Sequence, residues 1–468
     1  MQGVVFAASL LLSLTTCRVN ESGWKVLPEP SVMACPMFPI RVSQNGRHFV
    51  DERGTPFLLH GDAAWSLISG LTKAEAEIYL EDRRSRGFNA IIVNLIEHKF
   101  KGPRNREREQ PFLLPGDFST PNEKYFAHAD WVIRKAGEKG ILVILAPCYL
   151  GAEADEGWYR EVLENGVDKT AAYARYVANR YKTYDNLVWL LAGDRSPGAA
   201  TPHVRAMAAA IRATDPRHLI SAHLDRDVST REVFSHDDWV GFNSSYTGPL
   251  VYKEVAQDYA RSPIMPTILM ESYYEGEHGA TAERIRRQAY WALLSGAAGQ
   301  VIGNGKVWQF DPGWKEALHS PANQSMEYFR RLFLSTRWYE LKPDAQMVSG
   351  AMERSDGMDH IAGARTADGT TAIVYLPRPT EFFVELNRMK GPYCKASWFD
   401  PSSGRVNSAG TFATEHRESF MPPGGADWVL WLESSGTPPH VRETQLERQD
   451  NTRKAKFRLG RAGTGSRR

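Results

Sequence analysis

Cysteine is scarce in this chain, with four in 468 residues: Cys17, Cys35, Cys148 and Cys394. They lie far apart and form no Cys-x-x-Cys pair, so neither a zinc site nor a disulfide framework is signalled. Charge of one sign is also lacking. The net charge of +2 removes any global electrostatic case for nucleic acid as a partner. Several chemical signatures are missing as well. No Gly-x-Gly-x-x-Gly follows the first predicted strand, which argues against a dinucleotide cofactor. His-x-His and His-Glu-x-x-His are absent, as is Gly-x-Ser-x-Gly, so metal-dependent and serine hydrolases lack support. The expectation is a protein with no cofactor and no metal.

What is present is ordinary in bulk, with 42% apolar and 24% charged residues. Aromatics reach 11%, including 13 tryptophans; such rings serve as sugar-stacking platforms, but also as core and interface residues. The length suits two to three domains, or one large barrel with a small module. The opening stretch MQGVVFAASLLLSLTTC has an apolar run of signal-peptide length, too short for a membrane span. Leu14-Thr15-Thr16-Cys17 has the form of a bacterial lipobox, in which Cys17 would carry lipid and attach the chain to a membrane. Thr16 stands where Gly, Ala or Ser is usual, and no Lys or Arg precedes the apolar run. Residues 1–17 are therefore expected to be a leader of an exported protein.

Residues 18–39 are a proline-containing linker. From Ile40 short apolar runs recur: PFLLHGDAAW (56–65), FNAIIVNLIE (88–97), ILVILAPCY (141–149), LVWLLAGD (187–194), LISAHLD (219–225), WVGFNSSY (239–246), PTILMESYY (266–274) and GQVIGNG (299–305). Runs of this kind, rather than alternations, are what parallel strands buried on both faces produce. Helical periodicity fills most of the gaps, at 72–87, 122–140, 168–182, 203–216, 280–299 and 323–336. The first of these opens on Thr72 with Glu75 at the capping-box offset. Eight strands alternating with helices predict an α/β fold, a (β/α)8 TIM barrel over 40–343, with an open doubly wound sheet as the rival. After Pro343 short strands separated by Gly, Pro, Asp and Ser turns predict a small antiparallel β-sandwich over 344–433. The polar, basic remainder, 434–468, has too few large apolar residues to fold and is expected to be disordered.

Barrel active sites form at the C-terminal strand ends, which makes those residues the candidates. In chain order they are His60, Asp62 and Trp65; Asn94; Tyr149; Asp194; His223; Asn243 and Tyr246; Glu271 and Tyr274; and Trp308. Glycosidic cleavage needs two carboxyl groups flanking the anomeric carbon, one giving a proton to the leaving oxygen and the other attacking or activating water. Asp194 on the fourth strand and Glu271 on the seventh would face each other across the ring. Plainer readings stand beside this one. Asp194 before Ser-Pro is a good helix cap. Glu271 could pair with a core arginine, His60 and His223 could be satisfied core histidines, and Asp62 could cap its following turn.

The motifs LLHGDAAW, LVWLLAGD, ILMESYYEGE, YWALLSGAAG and VIGNGKVWQF, in this order, resemble the apiosidase-like glycoside hydrolases. MEYFRRLFLSTRWYELKPD resembles the segment that closes their barrel. AIVYLP, ASWFDPSSG and FMPPGGADWVLWL resemble the small β domain, labelled a collagenase collagen-binding domain, that usually follows. The resemblance runs from about residue 40 to 433. It implies a glycosidase acting on a carbohydrate, with Asp194 as acid/base and Glu271 as nucleophile. It also implies Asp62 and Trp65 in the sugar subsite, and release of a terminal pentofuranose from polysaccharide side chains. Ser272 stands where a proline is common, and ISAHLDRD and GFNSSYTG lack residues usual on strands five and six, which weakens the carry-over of substrate. The competing reading is a glycan-binding or adhesin-like protein without turnover. Oligomeric state is not legible.

Overall fold

A computed structural model of the chain describes residues 24–28, 35–153, 155–350 and 356–438. The expected leader with Cys17, and the tail beyond residue 438, lie outside the described residues. Among the described residues no helix is long and apolar enough to cross a membrane.

Eight parallel strands form the central sheet: β1 (Leu59–Ala63), β2 (Ala90–Asn94), β3 (Leu142–Ala146), β4 (Leu187–Ala192), β5 (Ile220–His223), β6 (Asn243–Tyr246), β7 (Thr267–Glu271) and β8 (Gly299–Ile302). Neighbours pair in chain order and β8 pairs with β1. A parallel bridge between Ile220 and Val240, with Gly241 N–H donating to the Ile220 carbonyl at 2.8 Å, closes the ring between β5 and β6. This is the predicted barrel. The long helices are α1 (Lys73–Ser85), α2 (Glu123–Glu138), α3 (Tyr159–Tyr181), α4 (Thr201–Thr214), α5 (Val251–Ala260), α6 (Ala282–Leu294) and α7 (Pro321–Leu334). The capping box of α1 forms as read, Thr72 and Glu75 satisfying each other's backbone N–H groups. Two features escaped the periodicity. The α5 segment gave no helical signal, and α3 starts nine residues earlier than expected because it kinks at Gly166, where φ is +70°.

Both faces of the barrel strands are buried, so outside β5 and β6, whose residues are largely polar, the inward and outward sets are both mainly apolar. Leu59, Ala63, Ile92, Ile144, Val188, Leu190, Ile268 and Met270 fill the interior. Ile91, Val93, Val143, Leu145, Trp189 and Leu191, one residue out of step, pack under the helices. This parity decides where most strand-end side chains point; Glu271, two residues after the outward Leu269, departs from it where the β6–β7 register shifts between Ser245 and Tyr246.

The C-terminal region is β-rich and antiparallel. Strands β9 (Ala362–Thr366), β10 (Thr371–Leu376), β12 (Tyr393–Asp400), β13 (Arg405–Ala413) and β15 (Trp428–Ser435) belong to one sheet. Strands β11 (Phe382–Glu385) and β14 (Arg417–Phe420) belong to a second, smaller sheet. Val374, Leu376, Phe382, Trp398, Phe420 and Leu432 form the core between them. The other face of the large sheet shares a core with the barrel: Ile373, Tyr375 and Val429 pack with Tyr290, Trp291, Phe329 and Phe333. Tyr290 and Tyr375 stack with centroids 4.8 Å apart. Arg286 grips Asp427 with two bonds of 2.8 and 2.6 Å, both side chains buried. Two details depart from the expected segments. Lys25–Val26, read as linker, adds an edge strand beside Arg405–Val406. Ser434 and Ser435, read as tail, complete β15.

Candidate active site

Asp194 reaches the barrel mouth through an unusual turn. Ala192, Gly193 and Asp194 have φ of +61°, +128° and +50° in succession, which swings the chain sharply at the end of β4. A side chain at Gly193 would put its Cβ 2.3 Å from the Tyr149 ring; only glycine lets the ring lie there. Tyr149 O–H then donates to Asp194 Oδ2 at 2.9 Å. The capping role fails on the same geometry: Ser196 N–H is taken by Asp225 Oδ2 at 2.8 Å, and the short helix after it has no side-chain cap.

Glu271, the last residue of β7, faces Asp194. The two carboxylates and His223 from β5 cluster so tightly that one ligating atom from each lies within 4.8 Å of the others. His223 Nε2 is 2.9 Å from Glu271 Oε2 in hydrogen-bonding alignment. It is 2.7 Å from Asp194 Oδ1, but off the N–H line, so Oδ1 has no aligned donor. Burial pushes Glu271 up, the Asp194 charge adds to this, and His223 only partly counters; the carboxyl stands at about 7. Burial alone would lower His223. Close contact with Asp194 and with Glu271, and the charge of both, outweigh it and hold the imidazole at about 9. The three residues are also a set that could ligate a metal ion through one nitrogen and two oxygens.

Aromatic rings enclose this cluster. Trp65 lies 5.6 Å from Tyr149 and 5.8 Å from His223, centroid to centroid, and its N–H donates to Tyr274 O–H at 2.9 Å. Tyr246 stacks on His223 at 5.1 Å. Trp308 donates to Glu277 at 2.8 Å and packs edge-on against Phe100. Asn94, inward on β2, is buried with neither amide atom bonded. The side chains of Asp194 and Glu271 are 18% and 10% exposed, so the opening is narrow.

The structure therefore gathers Asp194, Glu271, His223, Trp65, Asn94, Tyr149, Tyr246, Tyr274 and Trp308 at one rim. It excludes three expected subsite residues, each on the outward parity of its strand. His60 is buried between Phe88 and Phe329, and its Nδ1 contacts Gln300; desolvation drives it down to about 3. Asp62 bonds Tyr79 at 2.8 Å and Arg83 at 3.2 Å on α1, a core ion pair rather than a sugar ligand. Asn243 turns toward α5, its amide 3.4 Å from the Asp258 carbonyl. Sequence reading missed Glu277, Phe100 and Arg195. Arg195 lies over Tyr159 at 4.1 Å with buried Nε and Nη1 unbonded. The signal for Arg195 and Glu277 was adjacency to the GD and YEG motifs; Phe100 had none.

An eight-stranded barrel with paired carboxylates in an aromatic-ringed mouth defines a glycosidase. Comparisons agree. Residues 43–340 match the family described as "Apiosidase-like, catalytic domain", and residues 342–433 match "Putative collagen-binding domain of a collagenase". The chain belongs to the apiosidase-like glycoside hydrolase family. Among solved structures, one described as a glycoside hydrolase is 26% identical with a TM-score of 0.76, covering 85% of this chain and 97% of its own. A family 5 glycoside hydrolase from Bacteroides vulgatus ATCC 8482 is 23% identical with the same TM-score, covering 86% and 95%; it supports the fold. Comparison with curated proteins gives no match.

Proposed function

We propose that the protein is a retaining, exo-acting glycosidase that removes a terminal furanosyl or related sugar from a polysaccharide side chain. Asp194 is its acid/base and Glu271 its nucleophile. The observation that carries this reading is the carboxylate spacing: one oxygen of each within 4.8 Å of the other suits direct attack, for which carboxyl groups about 5–5.5 Å apart are typical, better than inversion, which works at roughly 6.5–9.5 Å. Glu271 attacks the anomeric carbon while the Asp194 proton passes to the leaving oxygen. Asp194 then takes a proton from water, which attacks the same carbon and frees Glu271. His223 orients the nucleophile through its aligned N–H. Asp194 Oδ2 is held by the Tyr149 hydroxyl, which leaves Oδ1, beside His223, as the oxygen that exchanges the proton. The enclosed opening, with Glu271 only 10% exposed, suits one terminal sugar better than a continuous chain. The exported, lipid-attached state expected for Cys17 would place such an enzyme where polysaccharide is met.

One observation favours the exchanged roles: Glu271 is held up at about 7, as a proton donor near neutral pH requires. A panel of aryl glycosides decides. With Asp194 as acid/base, Asp194→Asn keeps turnover of substrates with acidic leaving groups and is rescued by azide, whereas Glu271→Gln is inactive on all. The reverse pattern would exchange the roles. NMR detection of the inverted anomer as first product would overturn the retaining mechanism.

A further inference from the structure

A second compartment opens on the same face of the barrel as the carboxylates. Its walls are the 95–122 segment that follows β2 and the first turns of α3, which follows β3, so both descend from C-terminal strand ends. Its volume is about 470 Å³, within the usual range for ligand pockets. Phe112 and Trp158 supply aromatic surface, with centroids 5.7 Å apart. His98 Nε2 bonds Glu161 Oε1 at 2.8 Å. Three further polar atoms of this wall, His98 Nδ1, Glu161 Oε2 and Trp158 Nε1, are buried without any hydrogen-bond partner among the described residues, and Trp158 is only 3% exposed. Native interiors seldom leave such groups unmatched. The indole N–H can only donate and an ionised carboxylate can only accept, so a hydroxyl-bearing ligand, which does both, answers them.

Charge narrows the ligand. Asp117 is engaged by Lys169 at 2.9 Å and Glu161 by His98, while Glu164 forms no ion pair among the described residues, so the wall carries surplus negative charge. An anionic sugar is disfavoured there. The compartment adjoins the catalytic mouth: Phe100, two residues beyond His98, packs 5.9 Å from the Tyr149 ring, whose hydroxyl holds Asp194.

We infer that this compartment is a distal subsite that binds an uncharged sugar unit of the glycan whose terminal residue is cleaved between Asp194 and Glu271. The inference rests on the glycosidase reading of the mouth. Such a subsite lends binding energy from a part of the substrate that does not react.

The test separates binding from turnover. Full-length Asp194→Asn protein is titrated calorimetrically with short neutral oligosaccharides of arabinose, xylose and galactose, and with oligogalacturonides. Trp158→Phe, which keeps the ring and removes only the N–H, is then added, and Glu161→Gln in a second protein. A neutral oligosaccharide should bind about tenfold more weakly after Trp158→Phe, while the Tm without ligand does not fall, because the N–H has no protein partner to lose. Binding untouched by both substitutions would overturn the subsite, as would oligogalacturonides binding more tightly than neutral chains. Binding that responds as expected in a protein whose wild type hydrolyses nothing would refute the catalytic reading and leave this site standing.

Discussion

Replacing Gly193 by alanine should damage catalysis without replacing any ionisable group. The new Cβ would stand 2.3 Å from Tyr149 Cδ2 and 2.9 Å from Cε2, well inside contact distance, so the ring must move. The φ of +128° adds backbone strain of about 1–3 kcal/mol for a residue with a side chain. Moving the ring breaks the 2.9 Å bond to Asp194, a bond to a carboxylate worth about 1.5–3 kcal/mol. Displacing a catalytic group by about 1 Å can cost about 10²-fold in rate. The assay is kcat/KM on an aryl glycoside that the wild type turns over, with Tm measured alongside. Gly193→Ala should lose about 10²-fold, and Tyr149→Phe, which removes only the hydroxyl, about 10- to 100-fold. Gly193→Ala with wild-type kcat/KM, or Tyr149→Phe losing more than Gly193→Ala, would refute the reasoning that the turn exists to seat the ring beneath Asp194.

In the pH profile of kcat/KM, the acid limb should rise through about 7, where Glu271 ionises to become the nucleophile. His223→Asn removes the cation that counters Glu271, so the acid limb should move to higher pH; a limb that stays fixed or moves down refutes the assignment. Both groups hold protons more tightly folded than unfolded. The His223 share of stability is therefore full below its ordinary 6.5 and lost as pH rises through 9, while the Tm advantage of Glu271→Gln over the wild type should build up between about 4.5 and 7 and persist above 7. Asp62→Asn should cost about 3 kcal/mol in denaturant unfolding, since it leaves Arg83 buried with Asp82 as its remaining acid, yet keep the wild-type KM; a raised KM at unchanged stability would return Asp62 to the subsite. Asp427→Asn should cost about 3–5 kcal/mol, and calorimetry should show one transition for barrel and β domain, because they share a core; two resolved transitions would contradict that.

Much of the fold was legible because parallel strands buried on both faces write unbroken apolar runs, and all eight appear in order. What escaped was structure set by tertiary contact. The Arg405–Ala413 strand is mostly half-buried and carries little apolar signal, so it gave no strand reading. Lys25–Val26 is exposed and takes its conformation from its partner alone. The α5 helix follows β6 with no capping residue bonding its first turn.

The same burial that made the strands visible hid their facing. Where one face meets water, alternation reveals which residues point inward; here His60, Asp62 and Asn243 sit among buried neighbours on either side, so position at a strand end says nothing of direction. Asp194 and Glu271 were readable only as a pair on strands four and seven. The residue that joins them could not be ranked above His60 from sequence, since both are lone histidines in apolar strands. The structure separates them by a single step of parity: His60 is stacked against phenylalanines and driven toward neutrality, while His223 lies between two carboxylates and is driven toward charge. Exchanging the two environments would require each strand to slip by one residue, which would also turn its apolar set over. The core therefore fixes His223 at the mouth, and with it the cation on which the ionisation of Glu271 depends.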